Sequence, residues 1–316
     1  MPTSVFLTID TELMWRHHVA GLDAATVAQR SLDPAGVGIG WQLERLAAHG
    51  LRACFFVDPM PALVYGLDPI RRVVELILAA GQEVQLHLHP NWARVRPCGG
   101  AGTSFELIDY SPDDQRALIE GAAALLEAAG APSPIAFRAG SYSASDATLA
   151  ALAALDFAYD SSHDGSHHPW PSAIGLPQRQ IAPVAHCGLV EVPVTLIEGA
   201  GGALRHFQIC ALSVSEMQAA LDHAVAANHA AVTVVSHSFE LANRAGTRPN
   251  AVHVRRFESL CRMLAQRQAV LVTRHFRDRP VLALGQDDAP LRANWLRAGM
   301  RHAEQLWSNM VEERAP

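Results

Sequence analysis

The sequence predicts an α/β protein built around a parallel sheet or barrel. Two observations carry that expectation. Apolar runs rich in Val, Ile and Phe alternate with Ala-, Leu- and Arg-containing stretches at helical spacing over most of the chain, the element order that a parallel sheet with crossover helices produces. Hydrophobic residues make up 49% and charged residues 18%, a composition that suits a compact α/β core and excludes a disordered or fibrous chain.

In chain order, strands are expected at residues 4–9, 52–57, 83–87, 134–137, 157–159, 189–196, 231–236 and 269–272. Helices are expected at 38–49, 68–80, 112–129, 145–155, 213–228, 252–266 and 291–313. Ser111 before "PDD" opens one helix that Gly130 closes, and Gly50 closes the first. Residues 160–212, rich in Gly, Pro and His, break the rhythm and read as an elaborated loop or insertion. Residues from about 287 to 316 form a C-terminal helical extension, amphipathic enough to cover a barrel or another subunit. With no internal repeat and no low-complexity linker, one domain over residues 1–316 is the simplest division.

The formal charge of −6 gives nucleic acid no general electrostatic reason to bind. All 25 Lys/Arg positions are Arg, which removes catalytic lysine, Schiff-base and P-loop chemistry. The N-terminus lacks a basic segment followed by a long apolar core, and no apolar run reaches membrane-spanning length, so a cytoplasmic protein is expected. Cys54, Cys98, Cys187, Cys210 and Cys261 are scattered and never form C-x-x-C, which reads as buried free thiols.

In a parallel sheet, the C-terminal strand ends share one functional rim. The ends here read "TIDTE", "HLHP", "FRAGSY", "YDSSHDGSHH" and "VVSHSFEL". Residues two apart on a strand face the same side, so Asp10 and Glu12 either aim two carboxylates at one point or merely end a strand. The same parity applies to His87 and His89. Two imidazoles with a carboxylate form a familiar set for Zn²⁺ or another divalent transition metal. Arg138 either makes a surface ion pair or, buried, holds a general base in its ionised form. His237, after an apolar strand, is either a satisfied structural histidine or a general acid. The run from His163 to Trp170 is read as a solvated polar loop, with a second metal site as the alternative. Trp92, Tyr142 and Trp170 either form a sugar-stacking wall or pack loops.

The ordered set resembles the polysaccharide deacetylases of the NodB-homology superfamily, carbohydrate esterase family four, over most of residues 3–275. Its members are an acidic motif on the first strand, a histidine motif on the third, "FRAGSY", Asp160 after a further strand and a late strand ending in His237. The spacing "GQEVQLHLHP" looks like the WalW-like branch found with lipopolysaccharide and surface-polysaccharide gene clusters.

The resemblance implies a distorted (β/α)7 barrel and metal-dependent hydrolysis of a sugar N-acetyl group. The metal is expected to be zinc, with cobalt, nickel or manganese as alternatives, and the substrate an N-acylated sugar or saccharide precursor. Asp10 matches the general base, His87 the first metal histidine, Arg138 the arginine that orients the base, Tyr142 the oxyanion pocket and His237 the general acid. Asp160 and Trp92 are added as substrate-binding candidates.

Two positions depart from the family pattern. Thr11 stands where a second, metal-binding aspartate is usual, and Asn91 where the second histidine is usual. The set that replaces them is Glu12 or Asp10 with His87 and His89, Glu12 being taken as the ligand and Asp10 as the base. The rivals are a deformylase or other linear-amide hydrolase on the same fold, an amidohydrolase, whose H-x-H usually ends the first strand, and a carbohydrate-binding protein without turnover.

Overall fold

The computed structural model describes residues 2–93 and 104–313; Cys98 and the last three residues of the C-terminal extension lie outside them. The expected barrel is realised as a curled half-barrel sheet of nine strands. These are β1 (Thr3–Thr11), β2 (Cys54–Val57), β3 (Glu83–Leu88), β4 (Ala136–Ala139), β5 (Tyr159–Asp160), β6 (Val184–His186), β7 (Leu189–Glu191), β8 (Ala231–His237) and β9 (Leu271–Thr273). The order is β8-β1-β2-β3-β4-β5-β7-β6, with β9 against the N-terminal half of β1. All pairs are parallel except β6 with β7.

The strand expected over 189–196 stops at Glu191, and the chain leaves the sheet at Val192-Pro193. Pro193 cannot donate to a ladder. Irregular backbone then closes the curl: Val194 N–H bonds His163 C=O at 3.0 Å, Thr195 N–H bonds Thr233 C=O at 3.2 Å and Val235 N–H bonds Phe207 C=O at 2.9 Å. Leu196–Glu198 and Leu204–His206 form their own antiparallel pair in this insertion.

The main helices are α1 (Ala24–Leu32), α2 (Ile39–His49), α3 (Asp68–Ala79), α4 (Pro112–Ala128), α5 (Asp146–Ala154), α6 (Val214–Ala226), α7 (Ala251–Ala265) and α8 (Trp295–Trp307). Of these, α1 is absent from the sequence expectation: Asp23 caps it, but only Val27 and Ser31 are buried, too little for an apolar period. No residue of α8 is buried, and Trp295 is 81% exposed. The helix is tied down by polar contacts such as Arg256 to Glu304 at 3.0 Å. Cys187 is exposed, against the expectation of buried thiols, because it sits at positive φ in the turn between β6 and β7.

Strand parity divides the core. Val5, Leu7 and Ile9 of β1, with Phe55, Leu86, Phe137 and Val234, face the helices. Phe6, Phe56, Tyr159 and Phe276 fill the inner face, with Phe6 and Phe276 stacked at 4.5 Å. Burying one such ring contributes about 2–3 kcal/mol. This apolar plug fills one end of the inner face, so the polar residues of the same parity crowd the C-terminal rim.

Candidate active site

Along β1, the residues sharing the inner face with Phe6 are Thr8, Asp10 and, just past the strand, Glu12. Along β3 and beyond they are Gln85, His87 and His89, and along β4 they are Arg138 and then Gly140. Thr11 points the other way and donates its hydroxyl to Ile9 C=O. Asn91 is buried with no partner for Oδ1 among the described residues.

Glu12, His87 and His89 come together, with one ligand atom from each within 4.8 Å of the others. Glu12 Oε2 lies 2.5 Å from His89 Nε2 and 3.8 Å from His87 Nε2. The orientation of His87 is set from behind: Nδ1 is 2.7 Å from Arg138 C=O. A carbonyl only accepts, so Nδ1 carries the proton and Nε2 turns its lone pair to the cluster. Burial is the largest influence on His87 and lowers its pKa to about 4, keeping it neutral. Burial opposes ionisation of Glu12 too, but the charge and hydrogen bond of His89 outweigh it and bring Glu12 to about 2. The reciprocal pull of Glu12 overcomes burial and lifts His89 to about 9. A carboxylate and two imidazole nitrogens, one already in its ligating tautomer, fit a divalent transition ion.

Gly140 explains the ring placement of His89. A Cβ there would lie 2.3 Å from His89 Nδ1 and 2.6 Å from its Cγ, so only glycine leaves room for the imidazole. Asp58, at the end of β2, stands behind the same ring. Burial raises its pKa to about 7, Oδ1 accepts from Met60 N–H at 3.0 Å, and Oδ2 has no partner among the described residues.

Arg138 is wholly buried in the barrel and donates four hydrogen bonds: to Asp10 Oδ1 and Thr8 Oγ1 at 2.7 Å, and to Ser161 C=O and Oγ at 3.0 Å. Its guanidinium also lies 4.5 Å over the Phe56 ring. Asp10 is thus clamped through Oδ1, while Oδ2 faces His237 Nε2 at 3.8 Å.

His237 is oriented by two residues absent from the sequence reading. Gln208 donates from Nε2 to Glu240 Oε1 at 2.7 Å, and the same nitrogen lies 3.1 Å from His237 Nδ1. Glu240 also accepts from the His237 and Cys210 backbone N–H groups. Burial pulls the His237 pKa down, but the Glu240 hydrogen bond and the charges of Asp10 and Glu240 lift it to about 9. The imidazolium therefore persists at neutral pH with Nε2 toward Asp10.

The remaining candidates divide. Tyr142 reaches the rim: its backbone and that of Ser141 are left-handed, at φ 58° and 55°, and its buried hydroxyl has no partner among the described residues. Asp160 does not line a substrate cavity. It is fully buried under the rim, accepting from Ser162 N–H and Oγ and lying against Glu191. Trp92 is 2% exposed and packed edge-on against Trp15 at 4.8 Å, and it lines the cavity beside the cluster. Trp170 is exposed. The loop at 163–170, expected to be solvated, buries His163 and Asp164. Asp164 Oδ2 bonds His167 Nδ1 at 2.8 Å and lies 3.0 Å from His206 Nδ1.

Sequence reasoning missed Asp58, Gly140, Gln208 and Glu240. The rule applied to other strand ends would have found Asp58 in "CFFVD", and Glu240 lies three residues beyond His237. Nothing local marks Gln208.

No family model matches this sequence, and no curated protein matches it. Solved structures resemble it in fold. A protein assigned as a polysaccharide deacetylase from Mycobacterium smegmatis superimposes with a TM-score of 0.58 at 18% identity, over 91% of this chain and 95% of that one. A 4-alpha-glucanotransferase from Thermococcus litoralis gives 0.52 at 10% identity, over 92% of this chain and 41% of that one. A family 4 carbohydrate esterase from Streptomyces lividans, in complex with acetate, gives 0.42 at 14% identity, over 91% and 98%. The chain thus shares its mixed α/β half-barrel with the first two of these structures, a fold that carries more than one carbohydrate chemistry.

Proposed function

We propose that this protein is a metal-dependent hydrolase that removes an N-acetyl group from a sugar of a surface-polysaccharide or lipopolysaccharide precursor. One observation carries the reading: a carboxylate and two histidines that fit a divalent ion share a rim with an arginine-clamped aspartate facing a protonated histidine. The "GQEVQLHLHP" stretch supports the WalW-like branch, and zinc is the ion the donor set suits best, with cobalt, nickel and manganese as alternatives.

Glu12, His87 and His89 would hold the ion, which when bound supplies Lewis acidity at the acyl group. The protein's own residues do the rest. Asp10, fixed by Arg138 through one oxygen, takes a proton from the attacking water on the other. The new C–O bond forms as the carbonyl π electrons move to oxygen; when that oxyanion collapses the C–N bond breaks, and His237 gives its Nε2 proton to the departing amine. Gln208 and Glu240 keep that imidazole turned toward the reaction. Backbone N–H groups in the left-handed turn at Ser141-Tyr142 offer donors to the developing oxyanion. Left-handed non-glycine residues cost about 1–3 kcal/mol each, a strain that clusters where geometry serves chemistry. The products are a free amino sugar and acetate.

A cavity of about 260 Å³, lined by Glu12, His89, Trp15 and Ser141 among others, opens beside the cluster. It sits at the small end for ligand sites and suits a small acyl group, so formate release is measured beside acetate release. Metal content of the wild type, His87→Ala and His89→Ala tests the reading. Near-stoichiometric metal lost in both variants, with acetate released from N-acetyl sugars by the wild type alone, is expected. A wild type that takes up neither Zn²⁺, Co²⁺ nor Ni²⁺ refutes it.

A further inference from the structure

The same cavity carries a charge pattern that a neutral amide does not require. Its lining includes two arginines, Arg16 from the short helix Trp15–Val19 and Arg244 from the loop after β8. Neither guanidinium has an ion pair within 4.0 Å among the described residues. Arg16 Nε is buried without a hydrogen-bond partner among the described residues, and its guanidinium lies 5.8 Å from the Phe239 ring centroid. Arg244 is exposed and is anchored by its backbone, whose N–H bonds Glu313 at 2.8 Å. Burial and then the charge of Arg244 depress the Arg16 pKa, with Glu12 and Glu313 compensating more weakly. Two like charges thus line one cavity, offset only in part by Glu12 and Glu313, in a chain whose net charge is −6. The Glu12 carboxylate in the same cavity is already taken by His89.

We infer that Arg16 and Arg244 form an anion subsite, and that the substrate is an N-acylated sugar bearing a phosphate ester or a carboxylate beside the acylated position. Resting on the deacetylase reading, this narrows it to charged precursors. Guanidinium forks match both oxyanions in paired geometry, and the buried, partnerless Nε of Arg16 leaves a donor that an anion would satisfy. The small volume, shared with Glu12 and His89, places the charge on the reacting sugar or on the atom joined to it.

Isothermal titration calorimetry of the metal-loaded full chain at fixed ionic strength tests the subsite. The ligands are N-acetylglucosamine 1-phosphate, N-acetylneuraminic acid and N-acetylglucosamine, with acetate release followed in parallel. At least one charged sugar is expected to bind tenfold or more tightly than the neutral one, and which of the two does so tells phosphate from carboxylate. Arg16→Gln and Arg244→Gln each remove about tenfold of that preference, the scale of a charge-assisted hydrogen bond. Arg244→Lys retains part of it. Melting curves confirm that the variants fold, and Arg244→Gln alone suffices should Arg16→Gln not. Equal affinity for all three sugars, or a preference that survives the double variant, overturns the subsite. Preferential binding without acetate release leaves the subsite standing and refutes the deacetylase reading.

Discussion

Gly140→Ala tests the proposed metal centre without touching a proposed ligand. The glycine lies outside the positive-φ region, so its backbone accepts alanine. The new methyl would sit 2.3–2.6 Å from three atoms of the His89 ring, where ordinary contact begins at 3.4 Å, leaving the imidazole about 1 Å too close. The ring must swing, and the 2.5 Å approach of Nε2 to Glu12 is lost. Metal sites tolerate ligand errors of only about 0.2 Å, and even changes behind a ligand weaken binding about 10–100-fold. Displacing one of three protein ligands should therefore weaken metal binding by about 100-fold or more. Chelator competition with Zn²⁺ or Co²⁺ measures it. Gly121→Ala, where a Cβ meets nothing within 4 Å, serves as the control and should stabilise α4 by up to about 1 kcal/mol. Wild-type affinity in Gly140→Ala would refute the placement of His89 as a ligand.

Three further outcomes follow from the same geometry. Arg138→Met strands the buried Asp10 carboxylate and should cost about 3–5 kcal/mol in denaturant unfolding; a loss below 1 kcal/mol would contradict the clamp. Glu240→Gln removes the hydrogen bond and charge that lift His237 to about 9, so the alkaline limb of the pH–rate profile should move to lower pH with metal content unchanged. A fixed alkaline limb would show that another group supplies the proton. His163 is buried with a pKa lowered from 6.5 to about 4, and its Nδ1 has no acceptor among the described residues. Folded His163 thus binds fewer protons than unfolded, so its contribution is complete above pH 6.5 and is lost as pH falls through 4. His163→Gln should flatten that acid slope in urea titrations, and an unchanged slope would assign it to other groups.

Strand parity carried most of what could be read in advance. A period of two put Asp10 with Glu12 and His87 with His89 on one face, and a parallel order put their strand ends on one rim. Six helices lie within two residues of their expected bounds because Ser caps, Gly stops and apolar periods are local signals; α8 began four residues late and ended six early. The helix α1 escaped because it buries almost nothing apolar. Residue type does not reveal depth: Trp92 lines the cavity but is packed against Trp15, and Asp160 sits beneath the rim beside Glu191.

By itself, the sequence determined the fold class, the rim and the six residues expected at its centre: Asp10, Glu12, His87, His89, Arg138 and His237. Each is set by the repeat of a strand or by its end, which short-range geometry dictates. The tertiary structure alone decided that the carbonyl of Arg138 orients His87 while its guanidinium holds Asp10, and that Gly140 makes room for His89. It likewise brought Gln208 from an irregular insertion to His237, and Arg16 and Arg244, 228 positions apart in the chain, into one cavity. Those pairings depend on how the sheet curls and where the insertion closes it, and such long-range packing leaves no periodic trace in the chain.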